Sequence, residues 1–341
     1  MSPTRRVRQR LARPALLAAA LVACTACEAP MSIFGAAGEG GRRISALAWF
    51  LITAAAIVYV AVMALFIVAM SRNRARDPKA VDLSRPGYGF IIWGGAVMPS
   101  IVLAAVFVAG LAAMGRFPAR ASDRAPAFTI TGHQWWWQVD YDDPDLPGRF
   151  TTANELHVPV GRPVVIKLNA DDVIHSLWVP SLAGKKDLIP GRTSTLQFRA
   201  DQPGRYRGQC AEFCGFQHAF MAFEVIAEPP DRFDAWVAAQ RQPAAAPTDA
   251  TARRGQQVFL GSACILCHAI EGTTAGARTA PDLTHLGSRT TIAAGTLPNR
   301  PGELARWIAN PQDFKPGANM PSTTLSSEDM SALVSYLEGL K

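Results

Sequence analysis

The sequence predicts a multidomain chain: two transmembrane helices forming a hairpin, then an all-β sandwich, then a small all-α domain. Three observations predict it. Two long apolar runs, residues 44–70 and 88–114, contain no charged side chain. Residues 125–228 fall into short β-branched and aromatic stretches separated by Gly, Pro and Asp. Residues 251–341 change to helical spacing. The 341 residues leave room for two or three compact units.

The chain starts MSPTRRVRQRLARPALLAAALVAC, with a basic segment, a short apolar segment and small residues at its end. This is the pattern of a secretory signal over residues 1–23, too short to span a bilayer. Leu21-Val22-Ala23-Cys24 has the form of a bacterial lipoprotein cleavage box, which would place a lipid on Cys24. Cys27 is a weaker candidate, and the competing reading is an ordinary signal cut near Ala29.

Each apolar run, at about 1.5 Å per helical residue, exceeds the roughly 30 Å hydrocarbon core of a bilayer. Between them lies SRNRARDPKAVDLSRPG, rich in Lys and Arg, which the positive-inside rule puts in the cytoplasm. Two spans then leave everything after the second run on the outer side. The formal net charge of +7 fits this arrangement. Residues 1–23 hold five arginines and no acid, and residues 72–85 hold five basic residues against two acids. From Arg116 to the end there are 22 basic and 23 acidic residues. The positive excess flanks the apolar segments, so it marks membrane topology rather than a nucleic-acid-binding face.

AFTITGHQWWWQVDY, ELHVPVGRPVVIKLNA, STLQFRA and MAFEVIAE supply the strands of the sandwich. QRQPAAAPTDA, residues 240–250, is a Pro/Ala linker with nothing to build a core from. SSEDMSALVSYLEGL opens with Ser and acids and reads as a capped, amphipathic terminal helix.

The six cysteines form three close pairs, Cys24/Cys27, Cys210/Cys214 and Cys264/Cys267, and none needs a long-range disulfide. CILCH, residues 264–268, is the attachment signature for c-type haem: Cys264 and Cys267 bond the vinyl groups and His268 becomes an axial iron ligand. Met320, in PGANMPS, is the second axial candidate. A Met/His pair raises the iron potential and suits electron transfer. Met330 is its rival but sits in the terminal helix pattern.

CAEFCGFQHAFM, residues 210–221, is denser still. A Cys210–Cys214 disulfide would leave His218 and Met221 unexplained, and zinc has little use for Met. Soft Cys and Met with imidazole favour copper. Two thiolates can bridge two copper ions, which then require a second His. His175, in ADDVIHSLWVP at the end of an expected strand, supplies it.

Residues 251–341 resemble a class I cytochrome c, through CILCH, PDLTHLGSR, WIANPQDFKPGANMP and the last helix. His285 in this region reads as structural. GHQWWWQVDY, ADDVIHSLWVP, KKDLIPGR and C-A-E-F-C-x3-H-x2-M together resemble subunit II of haem–copper cytochrome c oxidases, in the branch with a fused cytochrome c. The fold the resemblance implies is two transmembrane helices, an all-β cupredoxin sandwich over residues 125–228 and an all-α class I cytochrome c domain. It implies a binuclear copper centre of the CuA type held by His175, Cys210, Cys214, His218 and Met221, with the backbone carbonyl of Glu212. In the family the side chain of that Glu reaches a magnesium ion shared with subunit I. Trp135 matches the residue that receives the incoming electron. Trp136 and Trp137 are expected to pack.

The implied function is electron input to a respiratory oxidase in a bacterial cytoplasmic membrane. Electrons come from a cytochrome c or a quinol-oxidising complex, and subunits I and III are the partners. Oxygen is reduced to water, with proton pumping, on the partner. The alternative is the equivalent subunit of a CuA-containing nitric oxide reductase. The resemblance stops at the mouth of the family's proton pathway. No Glu occurs between Glu39 and Glu155, and the expected acid falls at Phe90, with a Trp93-to-Pro spacing longer than usual. The family's acidic docking surface is only partly suggested, by Asp140, Asp142, Asp143 and Asp145.

Overall fold

The computed structural model describes residues 30–73, 87–114, 128–142 and 148–341. The signal segment with Cys24, the basic loop over 74–86, and Asp143 and Asp145 lie outside the described residues. The chain divides into two compact units, one made of residues 42–119 and the other of the remainder.

Two helices are long and apolar enough to cross a membrane, α1 (Glu39–Asn73) and α2 (Tyr88–Met114), and the first unit holds all of α2 and all but the first three residues of α1. Helix α1 begins five residues before its apolar run. Glu39 in its first turn and Arg72 in its last complement the helix dipole, so charge ends the apolar pattern without ending the helix. Side chains such as Ile57, Tyr59, Leu103 and Phe107 are well exposed, a surface suited to lipid rather than water. Within α2, Trp93–Val97 is a π-helical turn in which the Met98 N–H reaches back to the Trp93 carbonyl. A π-turn takes up one extra residue within a helix, and this one lies between Trp93 and Pro99. Phe90 is exposed.

The second unit contains the sandwich. One sheet runs β3 (Phe150–Ala153), β2 (Trp136–Tyr141), β1 (Phe128–His133), β5 (Val164–Ala170), β8 (Ser194–Phe198). The other runs β4 (Glu155–Pro159), β10 (Ala222–Glu228), β9 (Gly204–Cys210), β6 (His175–Trp178), β7 (Lys186–Leu188). The β1–β5 and β4–β10 pairs are parallel and the rest antiparallel. Alternation along β2 buries Trp137, Val139 and Tyr141 between the sheets. Ahead of α1, the N–H groups of Ala37 and Gly38 donate to the Ser181 carbonyl at the sandwich.

A helix the sequence reading did not assign, α3 (Pro230–Gln240), follows the sandwich. Its Pro at the first position pre-sets the helical backbone. Phe233 and Val237 are buried, and Trp236 stacks on His157 with centroids 3.8 Å apart.

The C-terminal domain has three helices, α4 (Ala250–Leu260), α5 (Pro301–Ala309) and α6 (Ser327–Gly339). Asp249 caps α4, and Ser326 caps α6 by accepting from the Asp329 N–H. Helices α4 and α6 cross at Gly255, where an added Cβ would lie 1.9 Å from the Ala332 carbonyl oxygen. A short ribbon, β11 (Thr291–Ile292) with β12 (Leu297–Pro298), interrupts the helices. The Pro/Ala segment contributes little core but is tied down: the Ala244 N–H donates to the Glu271 carbonyl, and His285 Nε2 to the carbonyls of Gln240 and Gln242.

Candidate functional site

The first site forms where three strands of the second sheet end together. Leu177 on β6 pairs with Cys210 on β9, and Gln209 pairs with Ala222 on β10. The cluster residues 210–221 therefore form the connection between β9 and β10, closed by a Cys210 N–H to Met221 carbonyl bond of 3.0 Å. His175, the first residue of β6, reaches the same place from 35 residues upstream.

The sulfurs of Cys210 and Cys214 are 3.8 Å apart. His175 Nδ1 is 3.9 Å from the Cys210 sulfur, His218 Nδ1 is 3.6 Å from the Cys214 sulfur, and the Met221 sulfur is 3.8 Å from the Cys214 sulfur. The Glu212 carbonyl lies 3.2 Å from the Cys210 sulfur. Ligand atoms of His175, Cys210 and Cys214 all fall within 4.8 Å of one another, and all three residues are buried. Two central sulfurs with an imidazole on each side and a thioether beside them is a donor set for soft metal.

The surrounding residues fix that set. His175 Nε2 bonds Asp172 at 2.8 Å, which orients the ring so that Nδ1 faces the Cys210 sulfur. Burial pulls the His175 pKa down, but its bonds to Asp172 and Cys210 outweigh this and hold it above the ordinary value. The hydrogen bond between the thiols holds Cys210 well below the usual thiol range and pushes Cys214 up. Gly132 on β1 lies under the His175 ring, and a Cβ there would sit 2.7 Å from it.

Trp135 Nε1 donates to the Cys214 carbonyl at 2.9 Å, and Gln134 Nε2 donates to the same oxygen at 2.8 Å. Trp136 stacks on His133, and Trp137 is fully buried with its ring near His175 and Phe223. The Glu212 carboxylate is half exposed and lies 3.4 Å from Lys185 Nζ. Asp140 and Asp142 accept hydrogen bonds from Thr151 and Thr129, so both are engaged within the sheet.

The second site lies in the C-terminal domain. Cys264, Cys267 and His268 occupy a tight turn in which the N–H groups of Cys267 and His268 donate to the Cys264 carbonyl. His268 Nδ1 bonds the Pro281 carbonyl at 2.7 Å, which leaves Nε2 free as a ligand. Burial holds its pKa below the ordinary value, against the bond to Pro281 and with help from nearby Arg289, which favours the neutral form that a metal ligand needs. Met320 packs partly buried against the same core as Cys264, in a loop braced by Gln312, whose amide donates to the carbonyls of Ala318 and Met320. Met330 packs against that core from α6.

Arg289, Asp172, Gln134 and Gly132 were not singled out by the sequence. Arg289 is buried, and its Nε has no partner among the described residues. A buried guanidinium with a free N–H is suited to an anionic neighbour.

Comparison with known proteins adds the following. Residues 148–228 match the family described as cytochrome c oxidase subunit II, periplasmic domain, and residues 252–341 match the cytochrome c family. A cytochrome c oxidase subunit 2 of Alkalihalophilus pseudofirmus is 38% identical over 296 residues, which cover 84% of each chain. A cytochrome c oxidase subunit 2 from a Bacillus species is 37% identical over 62% of this chain and 61% of its own. The crystal structure of the periplasmic domain of cytochrome oxidase subunit II of Bradyrhizobium japonicum covers 36% of this chain and 97% of that domain, at 29% identity and a TM-score of 0.33.

Proposed function

The chain belongs to the cytochrome c oxidase subunit 2 family, and from that premise we propose that it is the electron-input subunit of a respiratory terminal oxidase. It carries electrons from a donor, through a haem c site and a binuclear copper site, to a haem–copper subunit that reduces oxygen to water and pumps protons. The supporting observation is the convergence of His175, Cys210, Cys214, His218 and Met221 beside Trp135, in the same compact unit as the CILCH turn.

In this reading Cys210 and Cys214 would be the central ligands of the copper site, with His175 and His218 as its imidazole ligands and Met221 and the Glu212 carbonyl completing the set. Cys264, Cys267, His268 and Met320 would hold the haem, and the unpartnered N–H of Arg289 would be available to an anionic group of it. Bound copper and haem supply one-electron redox chemistry. The chain supplies rigidity: ligands at strand ends, buried and hydrogen-bonded, move little when the charge at the site changes. Trp135, bonded to the Cys214 carbonyl, is the contact through which the electron arrives.

The Glu212 carboxylate is assigned to a magnesium ion shared with subunit I. Subunit III and a cytochrome c or quinol-oxidising donor complete the partners. The two apolar helices anchor the subunit as a two-pass protein of the bacterial cytoplasmic membrane, with both C-terminal domains outside and a lipid on Cys24. The oxidase names of the relatives favour oxygen over nitric oxide as the partner's acceptor. Metal analysis and electron paramagnetic resonance of the purified full chain test the site. Two coppers per haem, with one unpaired electron shared between two copper nuclei, are expected; a single-copper signal contradicts the reading.

A further inference from the structure

Lys315 is 3% exposed, and its partners among the described residues are two carbonyl oxygens. One belongs to Ala293 of its own domain, at 3.3 Å. The other, at 3.0 Å, belongs to Trp135, 180 residues away in the sandwich. Burying an ammonium group costs free energy unless dipoles replace its water, so a lysine at this position is a poor choice for stability alone. Leucine or methionine would pack with less penalty.

The surroundings repeat the pattern. Asn319 Nδ2 donates to the Gln134 carbonyl at 3.1 Å, and Gln217 Nε2 donates to the Pro316 carbonyl. The Ala222 N–H donates to the Ala294 carbonyl at 3.0 Å. Ala293, Ala294 and Gly295 carry φ values of 54°, 55° and 74°. Two alanines in the left-handed region are strained, and such strain persists only where neighbouring contacts impose it. Here the carbonyls of those two alanines are the ones that meet Lys315 and Ala222. The loop bearing Met320 is thus bonded both to the Gln134–Trp135 turn and to the segment that carries His218 and Met221.

We propose that Lys315 is a positioning residue that latches the Met320 loop onto Trp135. The latch keeps the C-terminal domain docked at the copper site instead of swinging on the Pro/Ala segment. This deepens the proposed function and rests on it, because Trp135 matters as a target only if the electron arrives there. The lysine sets the register of two loops; it touches neither metal nor haem. Removing it leaves the carbonyls of Trp135 and Ala293 buried without their donor.

The test compares the full chain in detergent, with haem and copper bound, against Lys315→Met and Asn319→Ala. Amide hydrogen exchange over residues 293–296 and 311–320 reads the docking, and stopped-flow reduction of the haem reads electron arrival at copper. Lys315→Met is expected to keep both spectra, to speed exchange in those segments, and to slow haem-to-copper transfer on the order of tenfold or more. Asn319→Ala, on the exposed rim, is expected to shift both in the same direction by less, and it decides the matter if Lys315→Met does not fold. Unchanged exchange and an unchanged transfer rate overturn the latch. Absence of copper or haem from the unmodified chain contradicts the proposed function instead, and the exchange comparison then decides the latch by itself.

Discussion

The indole N–H of Trp135 and the backbone carbonyl of Cys214 are joined by a 2.9 Å hydrogen bond. The bond links the turn between β1 and β2 to the centre of the cysteine loop, and it singles out one tryptophan of three. Trp135→Phe keeps an aromatic ring and removes the donor. Electron arrival at copper is expected to slow by about tenfold or more, while the resting copper spectrum stays the same. Trp136→Phe, which disturbs only the stack on His133, is expected to leave the rate within about twofold. Stopped-flow kinetics on the two variants side by side check this.

Gly132 and Asp172 hold His175 from two directions. Gly132→Ala puts a methyl group 2.7 Å from the ring, and Asp172→Ala removes the partner of Nε2. Each is expected to weaken copper retention about 10- to 100-fold, the range seen when the groups that orient a metal ligand are lost. Competition with a copper chelator measures it. Equal retention by both variants and the unmodified chain would mean that His175 is not held as a ligand.

His157 carries the clearest pH signature outside the metal site. It lies 2.9 Å from Glu228 and 3.8 Å from Glu155, with Trp236 stacked on it and its backbone N–H bonded to the Tyr141 hydroxyl. Burial lowers its pKa, but the two carboxylates outweigh that and raise it above 6.5. The bond from His157 lowers Glu228 below 4.5. The histidine's contribution is complete below 6.5 and is lost as pH rises through its folded pKa. The glutamate's contribution is complete above 4.5 and is lost as pH falls through its own. Together they stabilise most between about pH 4.5 and 6.5. The loss of thermal stability in His157→Gln is therefore expected to be largest in that window and smaller at alkaline pH. A deficit that does not vary with pH would reduce His157 to a packing partner of Trp236.

The crossing of α4 and α6 leaves no room at Gly255. Gly255→Ala is expected to destabilise the C-terminal domain by about 3 kcal/mol, as overpacking against rigid backbone does. Loss of the haem Soret band on heating, followed in both proteins, gives the size.

What the sequence revealed and what it hid divide along physical lines. Cys210, Cys214, His218 and Met221 were legible because one loop carries them all, and His175 because a lone imidazole closes a strand. CILCH was legible because its chemistry is local. Asp172 lies in plain sight three residues before His175, but nothing in ADDVIH distinguishes it from Asp171; only the fold turns it under the ring. Lys315 was not legible at all, since its partner is 180 residues away and a lysine in a loop reads as solvated. Helix α3 was missed because its apolar face is only Phe233, Trp236 and Val237, too short a pattern to stand out from a Pro-flanked loop. The early start of α1 was missed because charge ended the apolar run before the helix ended.

The central claim is that one chain relays electrons from its haem site to its copper site. The direct measurement takes the oxidised full chain with both cofactors, adds a reductant that reaches only the haem, and follows the haem and copper absorption together. Haem reduction followed by loss of the copper band, at a rate independent of protein concentration, is the expected result. A reduced haem beside copper that stays oxidised, or a copper rate that scales with concentration, would contradict it.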